Sequence, residues 1–307
     1  MDQNNSWERQ TIEKLVFEVY KEQRRAKFWR LFWRIIALVV VLFVLIKAFN
    51  SQPILGSQQR HTAVIDLVGS IDSYNDQASV LLEGLETAYA NKNVQGVIIR
   101  ANSPGGSPVI SSIAFDEISR LKTLHKDVPL YVVAEDVCAS GCYFIASAAD
   151  KIYANPASLM GSIGVIAGGF GFDKAIDKLG IERRLKTAGN NKGMGDPFSP
   201  ETPEQNAIWT SMLDDIHEQF IAAVKKGRQG KLKNDPDLFS GRAYTGAQAK
   251  AAGLVDDFGS VYSVARDVIK APELVNYTPQ QSFSRTLSRT LGSEVKQNID
   301  TLIQSNW

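Results

Sequence analysis

PLYVVAEDVCASGCYFIASAAD, residues 129–150, passes without a break from branched and aromatic residues into small and apolar ones. The first part reads as a buried strand and the second as a buried helix, with Ser140 at the junction. A strand feeding directly into a helix is the repeating element of an α/β fold with mainly parallel strands. A serine hydroxyl at such a junction lies near a helix N-terminus, where free backbone N–H groups favour a developing anion. The same position suits a plain N-cap. Ser140 alone therefore leaves nucleophile and cap both open. The pentapeptide CASGC (138–142) is not the G-x-S-x-G elbow of the α/β-hydrolases.

Working outward, TAVIDLVG (62–69), VQGVIIRA (94–101), KIYANP (151–156) and ERRLKTA (182–188) read as further strands. Helices are predicted near Ala78–Ala90, Ser111–Leu124, Asp173–Leu179 and Pro203–Arg228, and over GAQAKAAG (246–253). This alternation defines a domain over 61–271. The tail 272–307 carries two SRT repeats and few large apolar residues, and it reads as peripheral.

Two further segments can carry chemistry. In NSPGGSP (102–108), at a strand end, consecutive glycines let backbone N–H groups face a ligand closely, as an oxyanion hole requires; a tight turn would use the same residues. Lys192, in TAGNNKGMGDP (187–197), has no acid beside it to hold its charge, and Arg183, Arg184 and Lys186 lie just upstream. A lysine base must be neutral near pH 7, which requires burial or neighbouring cations to lower its pKa. Without further context it reads as a solvated loop residue.

Taken together, NSPGG, ASGCYFIASAADKIYANPASLMGSIGVI, the loop lysine and GRAYTGAQAKAAGLVDDFG resemble the signal peptide peptidase SppA family, in its short form with one catalytic domain, over about residues 60–270. The resemblance implies a membrane-anchored bacterial serine peptidase with a Clp protease/crotonase-like fold of repeated strand–strand–helix units. It implies Ser140 as nucleophile, Lys192 as general base and Ser162 as the hydroxyl that positions the lysine amine. The N–H groups of Gly106 and Gly141 would form the oxyanion hole. It also implies a dome-like homo-oligomer whose neighbouring protomers complete each other's sites, and substrates such as signal-peptide remnants. No cofactor or metal is implied. Cys142 departs from the family pattern, which has glycine or another small residue there. Cys138 and Cys142 read either as two small buried packing residues or as a disulfide, which would strain a strand–helix turn.

Composition narrows the alternatives. Lys plus Arg (34) balance Asp plus Glu (33) for a net charge of +1, which argues against a nucleic-acid partner. Two cysteines and three histidines make a structural zinc site improbable. His61, His125 and His217 lie by a linker, at a helix end and among acids, and read as surface residues rather than triad members. No Walker A sequence occurs, and GGFG (168–171) lacks dinucleotide-loop spacing, so it reads as a turn or substrate-groove loop.

The N-terminal part sets the topology. LFWRIIALVVVLFVLIKAF (31–49) would form roughly 28 Å of helix, close to the ~30 Å hydrocarbon thickness. Arg34 and Lys47 can snorkel, and Phe28, Trp29, Phe32 and Trp33 supply an aromatic belt. Lys21, Arg24, Arg25, Lys27, Arg30 and Arg34 precede the apolar core, against Lys47 and Arg60 after it. By the positive-inside rule, 1–27 is a cytoplasmic arm, 28–49 a single transmembrane signal anchor, 50–60 a linker, and the catalytic domain is extracytoplasmic, periplasmic in a Gram-negative host. No small-x-small cleavage site follows Phe49. Two other readings compete with a peptidase: an acyl-CoA-handling crotonase relative, which the charge asymmetry opposes, and a catalytically inactive membrane scaffold, which the joint presence of Ser140, Lys192 and Ser162 opposes.

Overall fold

The computed structural model describes residue 25 and residues 27–44, 59–73 and 77–279. The chain divides into two compact units, Met1–Leu55 and Gly56–Trp307. In the first, residues 27–44 are helical and almost wholly exposed. No helix among the described residues is long and apolar enough to cross a membrane. The rest of the expected anchor (45–49), nearly all of the cytoplasmic arm, most of the linker and residues 280–307 lie outside the described residues.

The second unit is an α/β domain. Its strands are β1 (His61–Val68), β2 (Val94–Ser103), β3 (Leu130–Ala139), β4 (Lys151–Ala154), β5 (Leu159–Gly161), β6 (Ala243–Thr245), β7 (Asp257–Phe258) and β8 (Leu274–Asn276). They form one sheet in the order β6-β5-β3-β2-β1-β8, with β4 on β3 and β7 on β4. Every pairing is parallel except β5 with β6. The helices are α1 (Gln77–Ala90), α2 (Pro108–Leu124), α3 (Gly141–Ala146), α4 (Asp173–Lys178), α5 (Pro203–Gly227) and α6 (Gly246–Ala251), followed by a short turn and a π-helical stretch, Val264–Ile269.

Both faces of the central strands are covered, which is why they read as near-continuous apolar runs. Ala63, Ile65 and Leu67 of β1 and Val97, Ile99 and Ala101 of β2 point into one core with Leu81, Leu85, Phe115, Ile118, Phe144 and Phe220. Val64, Ile98 and Val133, one residue out of phase, pack on the opposite face with Tyr153, Val261 and Val264. Helix starts follow from capping. Ser107 accepts from the Ile110 N–H ahead of Pro108, and Thr202 and Thr245 form capping boxes with Gln205 and Gln248.

Three expectations need correction. ERRLKTA is not a strand: residues 181–187 have no regular structure and are exposed. Four charged residues in that heptapeptide have no partner sheet to bury against. His61 is not a surface residue. It is fully buried, stacked on Tyr277 and hydrogen-bonded to its hydroxyl at 2.9 Å. Residues 274–277, on the tail side of the expected 271/272 boundary, add β8 to the sheet beside β1, and Tyr277 is buried there.

Candidate active site

The site is built where β2 and β3 end side by side. Ser103 and Cys138 are in register across the two strands, and β3 also pairs with β5, Ala139 opposite Gly161. Beyond those pairs the chain turns sharply at Ser140, with φ 52°, ψ −124°, and enters α3. The Ser140 N–H donates to Gly161 O at 2.8 Å, and its carbonyl accepts from the Phe144 N–H at 3.0 Å. Ser140 occupies the N-cap position yet makes no side-chain cap bond. The capping role that the sequence left open is thus not used, and the hydroxyl has no partner among the described residues.

Ser162 stands next to it on the neighbouring strand end. Its φ is 48°, and its N–H donates to Arg242 O at 2.9 Å. Among the described residues, Ser140, Ser162 and Lys270 are the non-glycines with positive φ. Each such residue costs on the order of 1–3 kcal/mol and persists only where its surroundings over-determine it. Two of these three therefore sit together at the β3–β5 end, and both are serines with partly buried side chains.

The PGG loop lies directly against this turn. A Cβ on Gly106 (φ 150°) would fall 2.1 Å from Ile71 O, and Gly106 N lies 3.1 Å from the Cβ position of Gly141. The loop is clamped to Ile71 from both sides: the Ile71 N–H donates to Gly105 O at 2.9 Å and the Ser107 N–H to Ile71 O at 2.8 Å. That alternation leaves the Gly106 N–H directed away from Ile71. Neither it nor the Gly141 N–H has an acceptor among the described residues. Two adjacent free donors beside an unpartnered hydroxyl are the arrangement that holds a developing oxyanion.

Residues that the sequence reading passed over hold this loop. Ser103 Oγ accepts from the Gly105 N–H at 3.2 Å, and fully buried Ser111 donates from Oγ to Ser107 O at 2.8 Å while packing under Gly141. Serine directly before proline at a helix start was the available signal, since Ser107 caps α2.

Lys192 is placed differently. It lies on an exposed turn, its N–H donating to Gly189 O at 3.1 Å, and among the described residues no hydrogen bond or ion pair joins its ammonium to Ser140 or Ser162. The loop that carries it is tied to itself by Phe172 N–H to Pro197 O at 2.6 Å and by Arg183 to Asp196 at 3.3 Å. Hydrogen bonds from Ser199 and Arg183 hold the Asp196 carboxyl below its usual range. Ile166, Phe170 and Leu179 on the same segment are 93%, 81% and 73% exposed. His217, on α5, uses Nε2 on the Ile163 carbonyl at 3.0 Å, and His125 stacks on Tyr89.

The two cysteines are paired as a disulfide, so the alternative of two free packing thiols is set aside. Among the described residues no group of His, Cys, Asp or Glu is placed to hold a metal ion. A groove of about 1,100 Å³ runs beside Glu135 and Asp136, lined in part by Val133, Leu159, Phe258 and Tyr262. Ser140, Gly106 and Lys192 do not line it.

The description of peptidase family S49 matches residues 122–274, which include Ser140, Ser162 and Lys192. The chain is 30% identical over 208 residues to a putative protease of Synechocystis, covering 68% of this chain and 73% of that one. It is 32% identical over 209 residues to a putative signal peptide peptidase SppA of Enterococcus faecium, covering 68% and 60%. It is 46% identical over 182 residues to a Brucella melitensis protein named as the Na(+)/H(+) antiporter NhaA, covering 59% of this chain and 25% of that one. The chain belongs to peptidase family S49. It spans a quarter of the antiporter relative and about three fifths of the Enterococcus one.

Proposed function

We propose that this chain is a serine endopeptidase that cleaves peptide bonds in apolar segments, such as signal-peptide remnants. The observation that carries this reading is the pairing of the unpartnered Ser140 hydroxyl with the free N–H groups of Gly106 and Gly141. In the proposed reaction neutral Lys192 takes the Ser140 proton and the alkoxide attacks the scissile carbonyl. The two N–H groups hold the oxyanion; as it collapses the C–N bond breaks and the Lys192 ammonium gives its proton to the leaving amine, and the lysine, neutral again, activates the water that hydrolyses the acyl-enzyme. Ser162, which follows the strand end paired with the residue before Ser140, positions the lysine amine.

Lys192 reaches that position when its loop is packed. The exposed Ile166, Phe170 and Leu179 support a homo-oligomer in which a neighbouring copy covers the segment and completes the site. The fold is of the Clp protease/crotonase type. A single-pass anchor over 28–49, with a cytoplasmic N-terminus and an extracytoplasmic catalytic domain, would bring the site to peptides left in or near the bilayer.

The test compares wild type with Ser140→Ala and Lys192→Ala on a fluorogenic apolar peptide. Both variants are expected to lose turnover; cleavage by both at the wild-type rate would reject the reading.

A further inference from the structure

Cys138, the last residue but one of β3, and Cys142, the second residue of α3, are joined by a disulfide across Ser140, the residue midway between them. Their Cα atoms are 5.1 Å apart, whereas four extended residues would span roughly 13–14 Å. The bridge therefore closes a ring over the one sharp turn in the site. Ser140, with φ 52°, and the free Gly141 N–H both lie inside that ring.

A disulfide over so short a loop removes less entropy from the unfolded chain than one that closes a long loop. Its constraint is local. Cys138 also pairs with Ser103, the residue whose Oγ accepts from the Gly105 N–H, and with Met160 next to Gly161. Fixing Cys138 to Cys142 thus fixes the nucleophile relative to both the PGG loop and the strand end that carries Ser162. Both cysteines are fully buried, which keeps the bridge out of casual exchange with solutes.

We propose that the Cys138–Cys142 disulfide is a positioning element for catalysis, holding Ser140 and the Gly141 N–H in their productive geometry, so that turnover depends on the bridge being oxidised. This rests on Ser140 being the nucleophile. Loss of the bridge is a two-electron reduction by a dithiol. One thiolate attacks a cysteine sulfur, the second closes a cyclic disulfide in the reductant, and Cys138 and Cys142 each leave as a thiol carrying a proton from it.

The experiment uses the full-length protein and the fluorogenic apolar peptide, with free thiols counted in each sample. Oxidised wild type is compared with dithiothreitol-treated wild type showing two thiols per chain, with the same sample reoxidised, and with Cys138→Ala/Cys142→Ala. The reduced and the unbridged proteins are expected to lose roughly tenfold or more in kcat with KM changed less than about twofold, and reoxidation to restore the rate of the wild type. The double variant should be indifferent to dithiothreitol. Equal kcat in oxidised and unbridged protein would overturn the proposal, as would a loss confined to KM or to the melting temperature. If the double variant does not fold, the reduced wild type decides. Ser140→Ala is run alongside in the oxidised state: cleavage by that variant would reject the nucleophile, while an inactive Ser140→Ala with a redox-indifferent wild type would reject the bridge alone.

Discussion

A Cβ on Gly105 would lie 2.8 Å from Ser140 Cβ and 2.6 Å from the backbone N of Gly141. The PGG loop is therefore held as close to the Ser140 turn as backbone can come, and Gly105 (φ 99°) has neither the space nor the conformation for a side chain. Gly105→Ala is expected to push the loop off the turn and to lower kcat by about 100-fold or more. Labelling with a serine-reactive phosphonate checks whether Ser140 keeps its reactivity in this variant.

Ser162 makes a subtler prediction. Its hydroxyl has no partner among the described residues, and it follows Gly161, which pairs with Ala139 just before Ser140. Ser162→Ala is expected to lower kcat roughly 10- to 100-fold with little change in melting temperature. Unchanged kcat would remove Ser162 from the site.

Away from the site, Arg228 is 1% exposed and donates to Gly253 O at 2.8 Å and to Asp256 at 2.6 Å. Burial pushes the Asp256 carboxyl up, but bonds from Arg228, the Ile152 N–H and Lys231 outweigh it and hold the carboxyl below its ordinary value. Because the folded pKa is the lower one, the stabilisation is complete above about pH 4 and is lost as pH falls through the folded value. Asp256→Asn leaves a buried guanidinium unpaired and is expected to destabilise the domain by about 3–5 kcal/mol at pH 7. Urea unfolding as a function of pH checks this: the gap to wild type should narrow below pH 4.

Phe220 ties α5 to the helix that follows Ser140, its ring 4.8 Å from that of Phe144 in a stacked arrangement. Phe220→Ala is expected to cost about 3–5 kcal/mol of stability, and Phe220→Leu markedly less. Denaturant midpoints of the two variants distinguish packing from a role in catalysis.

These residues also show what the sequence made legible. β1, β2 and the first half of β3 were readable because both of their faces are buried, so composition alone marks them. The strand-to-helix step at Ser140 was readable for the same reason. Short strands were not: β5, β6 and β8 have three residues each, and their pairing depends on partners far along the chain. ERRLKTA misled because a short segment between turns is a strand only where a neighbouring strand pairs with it, and residues 181–187 are exposed without one. The loop after β2 was legible as PGG, but its clamp at Ile71 was not, since that bridge joins backbone groups through no side-chain signal. Whether Cys138 and Cys142 were bonded or merely packed could not be read from spacing, because the answer lies in how sharply the chain bends between them.

The position of β8 has a consequence for how the domain is made. Thr62, Ala63 and Val64 on the first strand pair with Leu274, Val275 and Asn276, and Tyr277 then reaches His61 and Asn91. During synthesis the first strand must wait, one edge unpaired, until more than two hundred residues have emerged behind it. A chain cut at residue 271 would keep every residue of the elbow and still present an open β edge to its neighbours, inviting association before it ever met a substrate.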